Sequence, residues 1–298
     1  MKHSLKEWFA ISRYWSFPVS AMPVIVTAAY LCWLYTGPFN WLNGILALIG
    51  IVIIHAAGNI LSDWADHRFG IDNEEAYAVP NLVFHKFEPK QYLTVSLILF
   101  AIGTIIGLVL TLRSGWTLLL IGGAGVVLTL GYSFLKYRAL GDLTIFINFG
   151  VLPMLGTSYV FTGAIFWETL ILSLPLGLIT VAVLHANNTR DTESDRKAGI
   201  KTFAMLIGGK AAVKLFIAYM VIPFVAIVVF TLAGRLPYFS LSSLIALIPA
   251  IKIAAHSDTN KQEALCLDQK TAQLQLVFSL LLTIGLVIAS FTTSSSIQ

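Results

Sequence analysis

The feature that most constrains this chain is its set of long stretches without a charged side chain. No Asp, Glu, Lys or Arg occurs in residues 14–62, 91–112, 114–135, 143–167, 169–189, 215–234, 236–251 or 271–298. A helix crosses a bilayer with about 20 mostly apolar residues. The first stretch is long enough for two crossings, and Gly37-Pro38 divides it because proline favours a helix end. The stretches show no alternation of polar and apolar residues, which favours membrane helices over barrel strands.

We therefore predict an all-α, polytopic membrane protein of nine transmembrane helices, folded as one domain over residues 1–298. The helices are predicted at residues 16–36, 40–62, 91–112, 115–132, 143–163, 168–187, 212–233, 237–254 and 272–291. Only 11% of the residues are charged, whereas soluble domains carry roughly 25%. This composition excludes a soluble enzyme, a disordered chain and a nucleic-acid-binding module, although the net charge is +4.

The basic residues predict the orientation of the chain. If the N-terminus and the loops that follow even-numbered helices share one side, that side receives 17 of the 19 Lys and Arg residues, and only Arg113 and Arg235 fall opposite. Loops rich in Lys and Arg stay in the cytoplasm. We therefore expect a multi-pass protein of the inner (cytoplasmic) cell membrane. Fourteen of the 15 acidic residues lie on the same side, so an active site built from them would face the cytoplasm.

A first acidic motif follows the second predicted helix. Asn59, Asp63 and Asp66 stand at positions i, i+4 and i+7. If the helix continues, this spacing puts the three side chains on one face. The plain alternative is that they are ordinary solvated loop charges.

A second motif of the same kind follows the sixth predicted helix, where Asn187, Asp191 and Asp195 stand at i, i+4 and i+8. Two acidic faces at one depth repel each other unless a cation lies between them. Oxygen ligands without a His or Cys partner suit a hard cation such as Mg²⁺, which binds readily together with a phosphate. The two motifs therefore predict a magnesium site that holds a diphosphate.

Basic residues close to the two motifs are candidates for binding the diphosphate oxygens, Arg in bidentate fashion. They are Lys136, Arg138, Arg190 and Lys201. The alternative for Lys136 and Arg138 is that they anchor a helix end at the membrane surface.

These motifs carry a resemblance to a known family. They read Asp63-x-x-Asp66-x-x-x-Gly70-x-Asp72, Tyr132-x-x-x-Lys136-x-Arg138, Leu140-Gly141-Asp142 and Asn187-Asn188-Thr189-Arg190-Asp191-x-x-x-Asp195-Arg196-x-Ala198-Gly199-x-Lys201-Thr202. Over nearly its whole length the chain resembles the UbiA superfamily of intramembrane prenyltransferases. Within it, the chain is most similar to the menaquinone-type branch, that is, 1,4-dihydroxy-2-naphthoate polyprenyltransferase and its animal relative.

The resemblance implies a UbiA-like helical bundle that transfers a polyprenyl group from an allylic polyprenyl diphosphate to an aromatic acceptor, with Mg²⁺ as the cofactor. The prenyl tail would lie in an apolar groove open to the membrane lipids. For the menaquinone-type branch the acceptor would be 1,4-dihydroxy-2-naphthoate, and the products demethylmenaquinone, diphosphate and CO₂.

The resemblance also suggests roles for individual residues. Asp66 or Asp72 would take the acceptor's phenolic proton or orient the acceptor. Arg13 would bind the acceptor's carboxylate, unless it is an ordinary membrane anchor. Tyr132 would shield the allylic cation with its ring, unless it belongs to the aromatic belt of the interface. Ser62 departs from the family pattern, because many members carry Asn at this position.

Two alternatives remain open at this point. A UbiA-type enzyme could use another acceptor, such as 4-hydroxybenzoate, homogentisate, a tetrapyrrole or a glycerol phosphate. A secondary transporter would also have many helices with polar groups in the membrane. Transporter sites, however, tend to lie near mid-membrane on broken helices, whereas the charged residues here are predicted at one end of the helices.

Overall fold

A computed structural model describes residues 3–70, 82, 86–257 and 266–294 of the chain. Within these ranges all regular secondary structure is helical, and the single β-bridge, between Arg138 and Lys201, belongs to no strand. The predicted all-α class is therefore confirmed. Asp72, one of the predicted catalytic residues, lies outside the described residues.

The described chain forms thirteen helices, some of which begin with or contain a 3₁₀ or π turn. Their bounds are α1 Leu5–Ile11, α2 Tyr14–Leu34, α3 Trp41–Arg68, α4 Pro89–Ser114, α5 Thr117–Leu130, α6 Tyr132–Lys136, α7 Gly141–Thr162, α8 Trp167–Arg190, α9 Thr192–Lys197, α10 Phe203–Ile207, α11 Gly209–Leu232, α12 Tyr238–Ala255 and α13 Leu267–Ser294.

Each predicted transmembrane helix corresponds to a helix of the structure. Eight helical stretches of the described residues are long and apolar enough to cross a membrane, and the ninth predicted span corresponds to the shorter α5. Gly115 and Gly131 flank α5, which has 14 residues. At about 1.5 Å per residue this helix rises only about 20 Å. Large apolar side chains such as Leu120, Leu232 and Ile248 remain exposed, as expected for surfaces that face lipid.

The largest apolar core lies where α2, α8, α11, α12 and α13 meet. Tyr30, Leu176, Phe216 and Phe278 are fully buried there. On the other side of the molecule α3 packs along α4. The helix α3 continues beyond the predicted end at residue 62, and its last turn carries His67 and Arg68. Basic side chains at this position interact favourably with the negative end of the helix dipole.

The helices α7 and α8 touch backbone to backbone at two glycines. A Cβ atom built on Gly150 would lie 3.0 Å from the Cα of Gly177, and one built on Gly177 would lie 2.9 Å from the ring of Phe146. Gly150 belongs to a π-helical segment of α7, Phe146–Val151. Small residues allow membrane helices to approach this closely. The contact fixes α7 against α8, the helix that leads into the second acidic motif.

Candidate active site

A polar cavity of about 160 Å³ lies at the end of the bundle that carries the acidic motifs. Nine of the residues predicted from the sequence line it: Arg13, Asn59, Asp66, Tyr132, Lys136, Asn187, Arg190, Asp191 and Asp195. The fold thus brings the two motifs to one cavity, although they are more than one hundred residues apart in the chain.

The first motif lies on the last turns of α3, as the spacing predicts. The amide nitrogen of Asn59 donates to the carbonyl of Ser12 at 2.9 Å and to the hydroxyl of Ser16 at 3.1 Å, so its amide oxygen is the atom left to bind a cation. Asp63 forms an ion pair with Arg13, with 2.5 Å between the guanidinium and carboxylate atoms. Asp63 itself does not line the cavity.

Asp66 is held by two neighbours on and beside α6. The hydroxyl of Tyr137 donates to the Oδ1 of Asp66 at 2.5 Å, and the Nζ of Lys136 lies 3.7 Å from its Oδ2. Burial alone would lower the pKa of Lys136, but the negative charge of Asp66, supported by Asp195 and Asp191, raises it above the ordinary value. Lys136 is therefore a permanent cation between the two motifs.

The second motif crosses the junction between α8 and α9. The backbone N–H of Asp191 donates to the carbonyl of Asn187 at 2.9 Å, and that of Asp195 donates to the carbonyl of Asp191 at 2.9 Å. The helical spacing of the three side chains thus continues although α8 ends at Arg190. Arg190 binds both carboxylate oxygens of Asp191, at 2.7 and 2.8 Å. It also contacts the amide oxygen of Asn187 and the carboxylate of Asp268.

Asp195 is a carboxylate of the cavity with one oxygen unpartnered in the described part of the chain. Its side chain is buried, and its Oδ2 atom has no hydrogen-bond partner among the described residues. Burial raises the pKa of Asp195 to about 6; Lys136 lowers it, and the nearby Asp191 and Asp66 raise it again. A buried carboxylate in such surroundings gains much from a bound cation.

The donors around the cavity fit a hard cation that is shared with a phosphate. They are the amides of Asn59 and Asn187 and the carboxylates of Asp66, Asp191 and Asp195, all of which offer oxygen. Within the described parts of the chain no three carboxylate, imidazole or thiol groups converge on a single point. Mg²⁺ typically takes only one or two carboxylates and completes its shell with substrate phosphates and water. The unpartnered Oδ2 of Asp195 is the atom that such an ion would satisfy.

Two of the predicted diphosphate ligands lie outside the cavity. The guanidinium of Arg138 stacks 3.5 Å from the centroid of the Phe134 ring on the exposed side of α6. The side chain of Lys201 is exposed, and its backbone N–H donates to the carbonyl of Tyr137 at 3.2 Å. Neither residue lines the cavity, whereas Tyr132 and Lys136 of α6 do. The structure therefore brings Lys136 and Arg190 to the cavity, but not Arg138 and Lys201.

An apolar groove of about 390 Å³ lies next to the polar cavity and runs between α3, α4, α5 and α7. Four residues line both spaces: His55, Thr129, Asn148 and Phe149. The groove has one side open, since it is lined there by exposed residues such as Leu119. The predicted groove for a prenyl tail therefore has a counterpart that adjoins the cavity of the two acidic motifs.

Sequence analysis missed several residues of the site. Tyr137 stands at an unspecified position of a motif, between Lys136 and Arg138, and its contact with Asp66 depends on how α6 packs against α3. The residues of the junction, such as His55 and Phe149, lie within apolar stretches that carry no local signal. The buried His185 is also hydrogen-bonded on both ring nitrogens: Nδ1 lies 2.7 Å from the carboxylate of Asp142 and Nε2 3.0 Å from the carbonyl of Ala212.

Comparison with known proteins agrees with this architecture. The sequence profile of the UbiA prenyltransferase family matches residues 21–277. A mouse relative, UbiA prenyltransferase domain-containing protein 1, is 31% identical over 294 residues, which cover 97% of this chain and 86% of the mouse protein. That name indicates the family and not the 1,4-dihydroxy-2-naphthoate branch, which therefore stays a prediction.

Two solved structures share the fold. A UbiA homologue from Aeropyrum pernix, solved in its apo form, superposes with a TM-score of 0.71 at 18% identity and covers 93% of this chain and 98% of its own. A UbiA homologue from Archaeoglobus fulgidus, bound to GPP and Mg²⁺, gives a TM-score of 0.64 at 12% identity and covers 95% and 99%. By its profile, its relatives and its fold, this multi-pass membrane protein belongs to the UbiA prenyltransferase family.

Proposed function

We propose that this protein transfers the prenyl group of an allylic polyprenyl diphosphate to an aromatic acceptor. The observation that carries the proposal is the junction between the polar cavity and the apolar groove, where His55, Thr129, Asn148 and Phe149 line both. An allylic diphosphate has the same two parts, a highly charged head and an apolar tail. Its reactive carbon joins them and would lie at this junction.

The side chains of the cavity would hold the diphosphate. Lys136 carries a permanent positive charge because Asp66, Asp191 and Asp195 are close to it. It would bind the phosphate oxygens between the two motifs. Bound Mg²⁺ would neutralise the negative charge that grows on the leaving diphosphate. Asn59, Asp66, Asn187, Asp191 and Asp195 are the residues proposed to hold this ion. Preorganised charges of this kind stabilise the transition state because they need not reorganise when the carbon–oxygen bond breaks.

Other residues would position the organic part of the reaction. Tyr132 and Phe149 line the cavity near its junction with the groove, and aromatic faces there can shield an allylic cation from water. Asp66 is proposed to accept the acceptor's phenolic proton or to orient the acceptor. Arg13, which pairs with Asp63 in this structure, also lines the cavity and would bind an acceptor carboxylate there.

The acceptor is proposed only as a class. The menaquinone-type resemblance favours 1,4-dihydroxy-2-naphthoate, whereas the relatives with their more general name fit better with another acceptor, such as 4-hydroxybenzoate, homogentisate or a tetrapyrrole. The naphthoate, 4-hydroxybenzoate and homogentisate share one feature, a hydroxylated aromatic ring. Its electron-rich carbon is the nucleophile that the allylic cation alkylates.

Isolated membranes that contain the protein should convert a radiolabelled allylic polyprenyl diphosphate into a labelled lipid when Mg²⁺ and the right acceptor are present. The four acceptors named above would be supplied in parallel, with a glycerol phosphate as a fifth arm. We expect product with one aromatic acceptor and none after EDTA is added. Product with the naphthoate alone would establish the menaquinone-type reaction. Product only with the glycerol phosphate would contradict the proposed aromatic acceptor.

We also propose that the cavity faces the cytoplasm from the inner cell membrane. The support is the asymmetry of charge, with 17 of the 19 basic residues predicted on the side of the acidic motifs. In a variant with Cys32→Ser and Cys266→Ser, a new cysteine at Lys210→Cys should react with a membrane-impermeant maleimide only after cells are permeabilised. Labelling in intact cells would reverse the orientation.

A further inference from the structure

Three glycines in the wall of the apolar groove face empty space. All three line the groove, Gly107 from α4 and Gly122 and Gly123 from α5. A Cβ atom built on any of them meets no other atom within 4 Å in the described part of the structure. A larger side chain at each position therefore has room to extend.

These glycines lie at a similar depth. The helices α4 and α5 follow each other in the chain and meet at a short turn between Ser114 and Thr117. Gly107 is about 10 Å from this turn along α4, and Gly122 and Gly123 are about 8–9 Å from it along α5, at about 1.5 Å per residue. The three positions together form one level of the groove.

Two other glycines of the same groove have a different surrounding. A Cβ atom on Gly103 would lie 2.5 Å from the side chain of Ile54, and one on Gly50 would lie 3.1 Å from that of Ile106. These two glycines allow α3 and α4 to pack closely. Packing does not explain the small size of Gly107, Gly122 and Gly123, because no neighbour in the described structure occupies the space next to them.

The groove has a defined occupant under the proposed function, namely the prenyl tail. It joins the polar cavity, in which the Oδ2 of Asp195 is buried without a partner among the described residues. From the shared residue Thr129 to Leu118 the α5 wall rises about 16 Å, and Gly123 lies about 9 Å along it. A short tail can end before this level, whereas a long tail must pass it.

We propose that Gly107, Gly122 and Gly123 determine the length of the prenyl chain that the protein accepts. This inference rests on the proposed function, since it assumes that the tail occupies the groove. A leucine at one of these positions would fill the groove at its level and exclude the rest of a long tail. The diphosphate head would bind as before, because its ligands lie at the other end of α5.

The test measures Mg²⁺-dependent binding of geranyl, farnesyl, geranylgeranyl and longer polyprenyl diphosphates to the purified full-length protein in detergent. The variants are Gly107→Leu, Gly122→Leu and Gly123→Leu, each assayed alone. We expect affinity for the long diphosphates to fall by about tenfold or more, since two buried methylene groups already account for roughly that factor. Affinity for geranyl diphosphate should stay within about twofold of the wild type, which also shows that the variant is folded.

The matched control is Gly209→Leu. Gly209 lies at the start of α11, away from the groove, and a Cβ atom there likewise meets nothing within 4 Å in the described structure. It should leave the preference for chain length unchanged. If folded leucine variants of the groove bind all lengths as the wild type does, the inference is wrong and the proposed function stands. If the wild type binds no prenyl diphosphate of any length, the proposed function fails, and the inference fails with it.

Discussion

Replacing Asp195 by Asn is expected to lower kcat/KM for prenyl transfer by about 10²–10³-fold, the effect of losing one preorganised electrostatic group. Asp195 is buried beside Lys136, and its Oδ2 lacks a partner among the described residues. The amide keeps the shape of the side chain but removes the charge that would attract a cation. The measurement is the initial rate in detergent as a function of Mg²⁺ concentration, with folding checked by the thermal unfolding midpoint.

Glu193→Gln is the matched control for this substitution. Glu193 belongs to the same short helix, α9, but it is exposed and does not line the cavity. Its variant should retain nearly full activity. Normal turnover and a normal Mg²⁺ requirement in Asp195→Asn would exclude this residue as a metal ligand, and equal losses in both variants would point to a general effect on α9.

Lys136→Met should reduce turnover by a similar factor of about 10²–10³. The side chain of Lys136 is 15% exposed and lies between Asp66 and the second acidic motif. Methionine has a similar length but carries no charge, so the variant loses the cation that would stabilise the leaving diphosphate. We expect the loss to appear in kcat as well as in KM, since negative charge on the leaving group is greatest in the transition state.

An exposed lysine that does not line the cavity, Lys210 on α11, provides the comparison. Lys210→Met should be close to the wild type in both parameters. Arg138→Gln is informative as well, because Arg138 was predicted to bind the diphosphate and instead stacks on Phe134. A loss of activity as large as that of Lys136→Met would mean that Arg138 turns into the cavity when substrate binds.

The sequence was sufficient to predict the membrane fold, because the signal for a transmembrane helix is contained in each segment. An uninterrupted stretch such as residues 91–112 must cross the bilayer as a helix wherever the other helices lie. The depth of the two acidic motifs follows from the same argument. Asn59 and Asn187 each stand near the end of a predicted span, so both motifs had to come to the same side of the bundle.

The pairing of side chains within the site could not be predicted in this way. The ion pair of Arg13 and Asp63 joins residues 50 positions apart, and the backbone of Arg13 has a left-handed conformation, with φ 53°. The contact of Tyr137 with Asp66 joins residues 71 positions apart. Such contacts depend on how two distant elements pack, and the local pattern of residues contains no information about that packing.

The glycine contact between α7 and α8 has a consequence for how substrates enter and leave. Gly150 and Gly177 touch without a side chain between them. The two helices therefore lack, at this contact, a layer of side chains that could rearrange and let one helix slide past the other. We expect them to move as a single rigid unit that carries Phe149 and Asn187 together. A motion that opens the groove is then expected in the helices opposite this pair. Because Gly50 and Gly103 also hold α4 closely against α3, the short α5, which borders the open side of the groove, is where we expect this motion.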